Sequence, residues 1–433
     1  MKSSTHAIVV ITAFAMTSSG FAQRAVQPPR QGPPPGSQQP QGPQTGEHPA
    51  QRPHDKHTTP PFRPANPRQP KLGDPLPFLT PKQLADFYDG KDDFEQEEDI
   101  EGGLGPIFNR NACSVCHAQG AVGGGSDVNV TRFGLLADGV FDPLEDLGGS
   151  LMQDSSILGH GIEIVPPIAN VTAQRNSTPL FGLGLIEAIP DATILHGVKK
   201  RNPDGVVGKP AMIHDVATDK ERVGRFGWKA QQAHLLSFAA DAYVNEMGIT
   251  SRLFPTENAP NGNLELLAQL DTIADPEDTT DPVTGKADID RAADFMRLLA
   301  PAPRVKPTRA TQLGGVLFRK IQCTACHTPR MITGPSPVRS LSRRPVWLYS
   351  DLLLHDMGTL GDGIAQGPAS TTEMKTAPLW GLRFTAPYLH DGSAETVDQA
   401  ILAHDGEAKA ARDRYEALTT EQQQRIVEFL MTL

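Results

Sequence analysis

The chain has 433 residues, a formal net charge of −10 and 21% charged residues; residues 1–73 are net basic, so the body from Asp74 onward is more acidic still. Such an acid balance argues against nucleic acid and against anionic membrane surfaces, and it is compatible either with steering of a basic partner or with plain solubility. Past the N-terminus no run reaches the roughly 20 apolar residues of a membrane span, so no transmembrane segment is expected.

In chain order, Lys2 precedes the apolar run AIVVITAFAM, and Gly20, Phe21 and Ala22 supply small residues ahead of Gln23. This pattern reads as a cleavable export signal over 1–22, which puts the mature protein in the periplasm. Residues 23–73 are dominated by Pro, Gln and Gly and read as a disordered tether, since they bury too little apolar surface to offset the entropy of ordering. His48, His54 and His57 in it are solvated polar residues or, on a second reading, metal ligands.

The remainder is long enough for two domains, set here at 74–300 and 301–433. GPIFNRNACSVCHA places Pro106 where a first helical turn tolerates it. Residues 127–213 are rich in Gly, Pro and Asn and read as long ordered loops. Apolar residues at three- and four-residue steps predict helices within 228–247, 288–300 and 308–327. The terminal TTEQQQRIVEFLMTL offers Thr420 and Gln423 as a capping box, with Ile426, Phe429, Leu430 and Leu433 on one face. The fold class is therefore mainly α.

All four cysteines fall in two units, NACSVCHA and IQCTACHT, each with a histidine directly after the second cysteine. A disulfide, a zinc site or a thioredoxin-like pair are the alternatives, yet zinc ribbons space their knuckles by about 15–20 residues whereas about 200 separate these. None of the three explains the histidines. C-x-x-C-H has one specific use: two thioether bonds to haem vinyl groups, with the next imidazole beneath the iron. Cys113, Cys116 and His117 should hold one covalent haem c, and Cys323, Cys326 and His327 the other. Gly314, Leu317, Phe318 and Ile321 lead into the second unit, where small and aromatic residues suit a close crossing by the terminal helix through Phe429 and Leu430.

The stretches GLGPIFNRNACSVCHAQGAVGGGS, QRNSTPLFGLGLIEAIPDATI, LYSDLLLHDMG and TAPLWGLRFTAPYLHDGSAETVDQAILAHDGEA resemble the bacterial dihaem oxidoreductases of peroxidase type, some labelled thiol oxidoreductases. TAPYLHDGSAETVDQAI is also similar, more distantly, to segments of dihaem cytochrome c peroxidases and of the dihaem rubber oxygenase. The resemblance implies two cytochrome c-like haem domains and leaves the reaction open. It also implies a distal ligand to the second iron within AILAHDGEA, hence His404, with Met357 as runner-up. His355 reads better as a satisfied core histidine, and His390 as a loop pin or a partner for a haem propionate. His160, His196, His214 and His234 have no motif that selects any of them for the first iron, which leaves that iron as the reactive one.

Relatives take a catalytic acid or amide from the segment after a QRN-like turn, which here offers Gln174, Arg175 and Glu187. Glu187, amid Leu185, Ile186 and Ile189, is either a buried proton shuttle with a raised pKa or an exposed turn residue. Trp228 and Trp380 are core residues or relays between the haems. The expected function is an exported dihaem oxidoreductase that handles a small oxidant, hydrogen peroxide first, with a small redox protein as electron partner. An oxygenase acting on an apolar substrate and a non-catalytic electron carrier are the alternatives.

Overall fold

The computed structural model describes residues 69–198 and 204–433. The expected signal segment, the tether as far as residue 68, and His48, His54 and His57 lie outside the described residues. The last residues of the expected tether belong to the body: Gln69 Nε2 donates to the Arg304 carbonyl, and Leu72 packs on the first apolar core.

Helix α1 (Pro81–Glu95) starts at a capping box, in which the Thr80 hydroxyl accepts the Gln83 N–H and the Gln83 side chain accepts the Thr80 N–H. It buries Phe87, Gly90 and Phe94. Strand β1 (Ile107–Phe108) and the single turn α2 (Cys113–Cys116) follow. Next come β2 (Asn129–Ala137), β3 (Val140–Asp142), β4 (Leu151–Met152), β5 (Ser155–Ser156) and β6 (Val171–Asn176). Pro106 thus opens no helix, because Ile107 and Phe108 pair with Ser156 and Ser155 of β5.

The loops expected over 127–213 contain this strand layer. Strand β2 pairs with β3, with β4, and with β6 in antiparallel register from Asn129↔Asn176 to Gly134↔Val171. Its signal was weak for a physical reason: Val130 and Arg132 on β2 both line a cavity, so no alternation of apolar and polar residues marks the buried face.

Helices α3 (Leu183–Glu187) and α4 (Asp191–His196) precede the hairpin of β7 (Met212–Asp215) and β8 (Lys220–Val223). Helix α5 (Leu235–Ala242) runs on into a π-helical turn, Tyr243–Met247. Then come α6 (Leu264–Leu270), α7 (Asp288–Leu298) and α8 (Arg309–Lys320). Short pairs β9 (Met331–Ile332) with β10 (Pro345–Val346), and β11 (Leu354–Asp356) with β12 (Glu373–Lys375), lead to α9 (Val397–Leu402), α10 (Lys409–Glu416) and α11 (Thr420–Leu430). The α11 capping box is Thr419 with Gln422, one residue ahead of the expected pair; burial of Ile426, Val427 and Leu430 sets the phase. Helix makes up 32% of the described residues and strand 16%, so helix dominates by two to one over a strand content that the sequence hid.

Two large apolar cores result, beside a small cluster of Ala211, Ala230, Leu354 and Ala369. The first gathers Phe87, Phe94, Ile186, Leu235 and Phe295, together with Met331, Val346 and Leu353 from beyond the expected boundary at residue 300. The second gathers Phe318, Tyr349, Tyr415, Ile426 and Leu430. Each contains a helix crossing set by glycine. A Cβ at Gly314 of α8 would lie 1.9 Å from the Arg425 carbonyl oxygen of α11, and one at Gly90 of α1 would lie 2.2 Å from the Arg291 carbonyl oxygen of α7. Only a residue without Cβ lets these backbones meet.

Candidate functional site

The two C-x-x-C-H units are held by the same device. Helix α8 sets Phe318 against His327 at 6.3 Å between ring centres, and α1 sets Phe94 against His117 at 6.1 Å. The His327 N–H donates to the Cys323 carbonyl and the His117 N–H to the Cys113 carbonyl, both at 3.0 Å, which tightens each turn so that both thiols and the imidazole belong to one cavity wall. None of the four cysteines is paired in a disulfide. Nδ1 of His327 contacts the Tyr349 carbonyl at 3.0 Å and Nδ1 of His117 the Gly124 carbonyl at 3.2 Å. A carbonyl only accepts, so Nδ1 carries the proton and Nε2 keeps its lone pair. Burial pushes both histidines down to about 4, which holds them in the neutral, ligating form.

The opposite walls differ. The His327 cavity, about 260 Å³, also contains His355, Met357, Trp380, His390, His404 and Arg412. His404 donates from Nδ1 to the Ala400 carbonyl at 2.7 Å, so its Nε2 is free as well, and its ring centre stands 6.4 Å from that of His327. Two imidazoles bound to opposite sides of one metal ion, at about 2 Å per bond, have ring centres about 6.3 Å apart. Met357 lines the same cavity. His355 is saturated, with Asp351 at 3.1 Å on one ring nitrogen and Glu407 at 2.7 Å on the other. Burial would lower its pKa, but Asp351, the Cys326 sulfur and Glu407 push it up to about 12.

The His117 cavity, about 170 Å³, has no second histidine in its wall among the described residues, and none of His160, His196, His214 and His234 lines it. It holds Arg132, Gln231, Asp241, Tyr243 and Glu246 instead. Burial raises the pKa of both Asp241 and Glu246, with Arg132 offsetting part of the rise. Asp241 accepts from Asn245 Nδ2 at 3.1 Å and Glu246 from Asn109 Nδ2 at 2.7 Å. The sequence signal for these two acids was their place in the otherwise apolar run LLSFAADAYVNEM, where an acid is costly unless it is used.

Asn176, Ser177 and Trp228 line both cavities. The Trp228 indole N–H donates to the Asn176 carbonyl at 2.7 Å, and its ring meets His390 edge-on at 6.3 Å. Next to it, fully buried Lys229 pairs with Asp362 at 3.0 Å and donates to the Glu373 carbonyl at 2.7 Å, while Arg175 pairs with the same Asp362 at 2.7 Å. Trp380 lines only the His327 cavity.

Glu187 and Gln174 are not brought to either cavity. Glu187 accepts from Arg297 Nε at 2.6 Å and from the Leu235 N–H at 2.9 Å. Burial would raise its pKa, but Arg297 outweighs burial and lowers it, contrary to the expected shuttle. The carboxylate is a strut between α3, α5 and α7. Gln174 is exposed on β6 and donates to the Thr131 hydroxyl at 2.9 Å; its neighbours Arg175 and Asn176 are the buried members of that turn.

Two thiol-and-imidazole cavities joined through one tryptophan suit residues that hold a pair of haems, and they define a redox enzyme of the dihaem class. The chain belongs to the family described as "Di-haem oxidoreductase, putative peroxidase", which matches residues 169–433. No curated protein matches the chain by sequence. Similar solved structures include hydrazine synthase of Kuenenia stuttgartiensis, pressurized with xenon, at 14% identity over 90% of this chain and 100% of that one, TM-score 0.39. A MauG-like protein associated with microbial copper homeostasis shows 16% identity over 85% and 95%, TM-score 0.39. A variant of the diheme peroxidase BthA from Burkholderia thailandensis shows 13% identity over 70% and 94%, TM-score 0.28. Among the described residues no helix is long and apolar enough to cross a membrane.

Proposed function

We propose that the protein is an exported, periplasmic dihaem c-type oxidoreductase. It reduces hydrogen peroxide at the His117 site with electrons that a small redox protein delivers by way of the His327 site. The reading rests on one observation: an imidazole stands opposite His327 at a spacing that fits two ligands of one metal ion, and among the described residues no histidine lines the cavity opposite His117. In this reading Cys113 and Cys116 hold one haem and Cys323 and Cys326 the other, with His117 and His327 as proximal ligands and His404 as the second ligand of the latter iron. Haem held by His327 and His404, and haem held by His117, would supply one-electron exchange.

The chain's own residues do the rest. Reduction of one hydrogen peroxide to two waters takes two electrons and two protons. Burial raises the proton affinity of Asp241 and Glu246, and these two acids deliver protons inside the His117 cavity. Arg132, in the same wall, favours negative charge on an oxidant held in that cavity. Trp228 gives the two cavities a shared aromatic wall, and its hydrogen bond to Asn176 fixes the ring. His404 closes the His327 site to oxidant and confines it to electron transfer.

Rapid mixing of the half-reduced protein with peroxide tests this reading. Peroxide should change the His117 haem spectrum first and oxidise the other haem afterwards. Equal inertness of both haems would make the protein an electron carrier.

A further inference from the structure

Away from both cavities, Glu257, Asp275 and Glu277 each place one carboxylate oxygen within 4.8 Å of the others. Two loops meet there, the stretch 250–257 after the π turn and the stretch 271–278 after α6. An acidic cluster alone carries no meaning, but Glu257 adds an independent observation. Its side chain is 8% exposed, and both carboxylate oxygens are sealed from solvent with no hydrogen-bond donor among the described residues. Burying a carboxylate without a partner costs several kcal/mol as an order of magnitude, so a native fold supplies a counter-charge or a proton.

No side-chain cation among the described residues supplies it. Arg252 is the one basic residue between 250 and 278, and it is taken by Asp290 at 2.7 Å. The groups bearing on Glu257 are Glu277, Asp275 and Asp271, all acids, and with burial as the leading cause they push its pKa up to about 9. Thr250 adds a fourth oxygen: its hydroxyl donates to Asp275 Oδ1 at 2.6 Å and its N–H to Glu277 Oε2 at 2.8 Å. Asp275 is exposed, which leaves the cluster open to solvent on one side.

We propose that Glu257, Asp275 and Glu277 form a calcium site. Every donor is an oxygen, which selects a hard cation over zinc or copper. Two oxygens bound to one calcium at about 2.4 Å each lie up to about 4.8 Å apart, whereas magnesium requires about 2.1 Å and near-ideal octahedral geometry. The ion ties the 250–257 loop to the segment that starts α7, because the Asp278 carboxylate accepts the N–H groups of Asp288 and Ile289, at 2.8 and 3.2 Å. Helix α7 in turn brings Ala292 and Met296 to the His117 cavity, so the ion braces one wall of that site from outside. The alternative occupant is a proton shared between Glu257 and Glu277. The proposal stands or falls independently of the haem reading.

The test uses the full holoprotein, first stripped with a chelator and then equilibrated with calcium or magnesium, and it reads bound metal per chain and melting temperature. Wild type should bind one more calcium than Glu257→Gln and show a larger calcium-dependent rise in Tm, with magnesium less effective. In chelator, Glu257→Gln should melt at or above wild type, since it removes a buried carboxylate that repels its neighbours. Asp275→Asn, at an exposed position that leaves folding intact, should weaken calcium binding about tenfold, because affinity follows ligand charge. Equal calcium content and equal Tm response in wild type and Asp275→Asn would overturn the site, leave the shared proton in its place, and decide the matter even if Glu257→Gln failed to fold.

Discussion

The surroundings of His117 and His327 agree on one side and part on the other. Behind each histidine lie a phenylalanine, a backbone carbonyl on Nδ1 and a helix pair crossed at a glycine, Gly90 over α7 and Gly314 over α11. In front, one cavity presents a second imidazole and the other presents two acids with raised pKa values. One scaffold therefore carries two kinds of site. The proximal half specifies what is held; the distal half specifies what can reach it.

The strongest way to break the comparison is to delete one motif. Cys323→Ala with Cys326→Ala should lower the mass of the denatured protein by one haem and abolish turnover with an external donor, while peroxide still perturbs the His117 haem. A mass that shows a single haem in wild type would refute the two-site architecture.

Asp362→Asn attacks the base that both sites share. It strands Arg175 and Lys229 in the interior and should cost about 3–5 kcal/mol in denaturant unfolding, with both haem spectra disturbed together. Disturbance of one site alone would show that the two sites are mechanically separate.

A sharper contrast comes from the acids. Asp241→Asn should reduce peroxide turnover about a hundredfold, within the range of a lost proton donor. Glu187→Gln should leave turnover near wild type and lower stability through Arg297, as expected for a strut. The reverse ranking would restore Glu187 to the catalytic place that the sequence suggested.

The smallest effect concerns a carboxylate that lines neither cavity. Burial would raise Asp191, but Arg222, Arg225 and the Val223 N–H hold it down to about 2. A depressed carboxylate contributes stability above its unfolded pKa of about 3.9 and loses it as pH falls through its folded value. Asp191→Asn should therefore flatten the fall of stability between about pH 4 and pH 2, measured by acid titration of far-ultraviolet dichroism.

What the sequence disclosed follows from how local each signal is. C-x-x-C-H is complete within five residues, and the Gly314 crossing was legible because its helix runs almost directly into the motif. At the first site the equivalent helix, α1, ends at Glu95 and an intervening stretch separates it from Cys113, so the helix start was placed at Pro106. Of the two polar residues that the sequence offered on strand β6, Gln174 faces solvent and Arg175 is buried, together with Asn176, whose carbonyl holds Trp228. Glu187 was visible as an acid in apolar company, but Arg297 lies 110 residues away in sequence, and pairing at that range is set by packing alone. Asp241 and Glu246 carried the same kind of signal and met no opposing arginine strong enough to cancel burial.

The central claim is that one iron has two imidazole ligands and the other has one. Electron-paramagnetic resonance of the fully oxidised protein, wild type beside His404→Ala, tests it most directly. Wild type should give one low-spin and one high-spin ferric signal. In His404→Ala the low-spin signal should vanish into a second high-spin one, with a raised potential at that haem and an unchanged peroxide response at the other. Two low-spin signals in wild type, or a low-spin signal that survives in His404→Ala and is lost in Met357→Ala, would contradict the account.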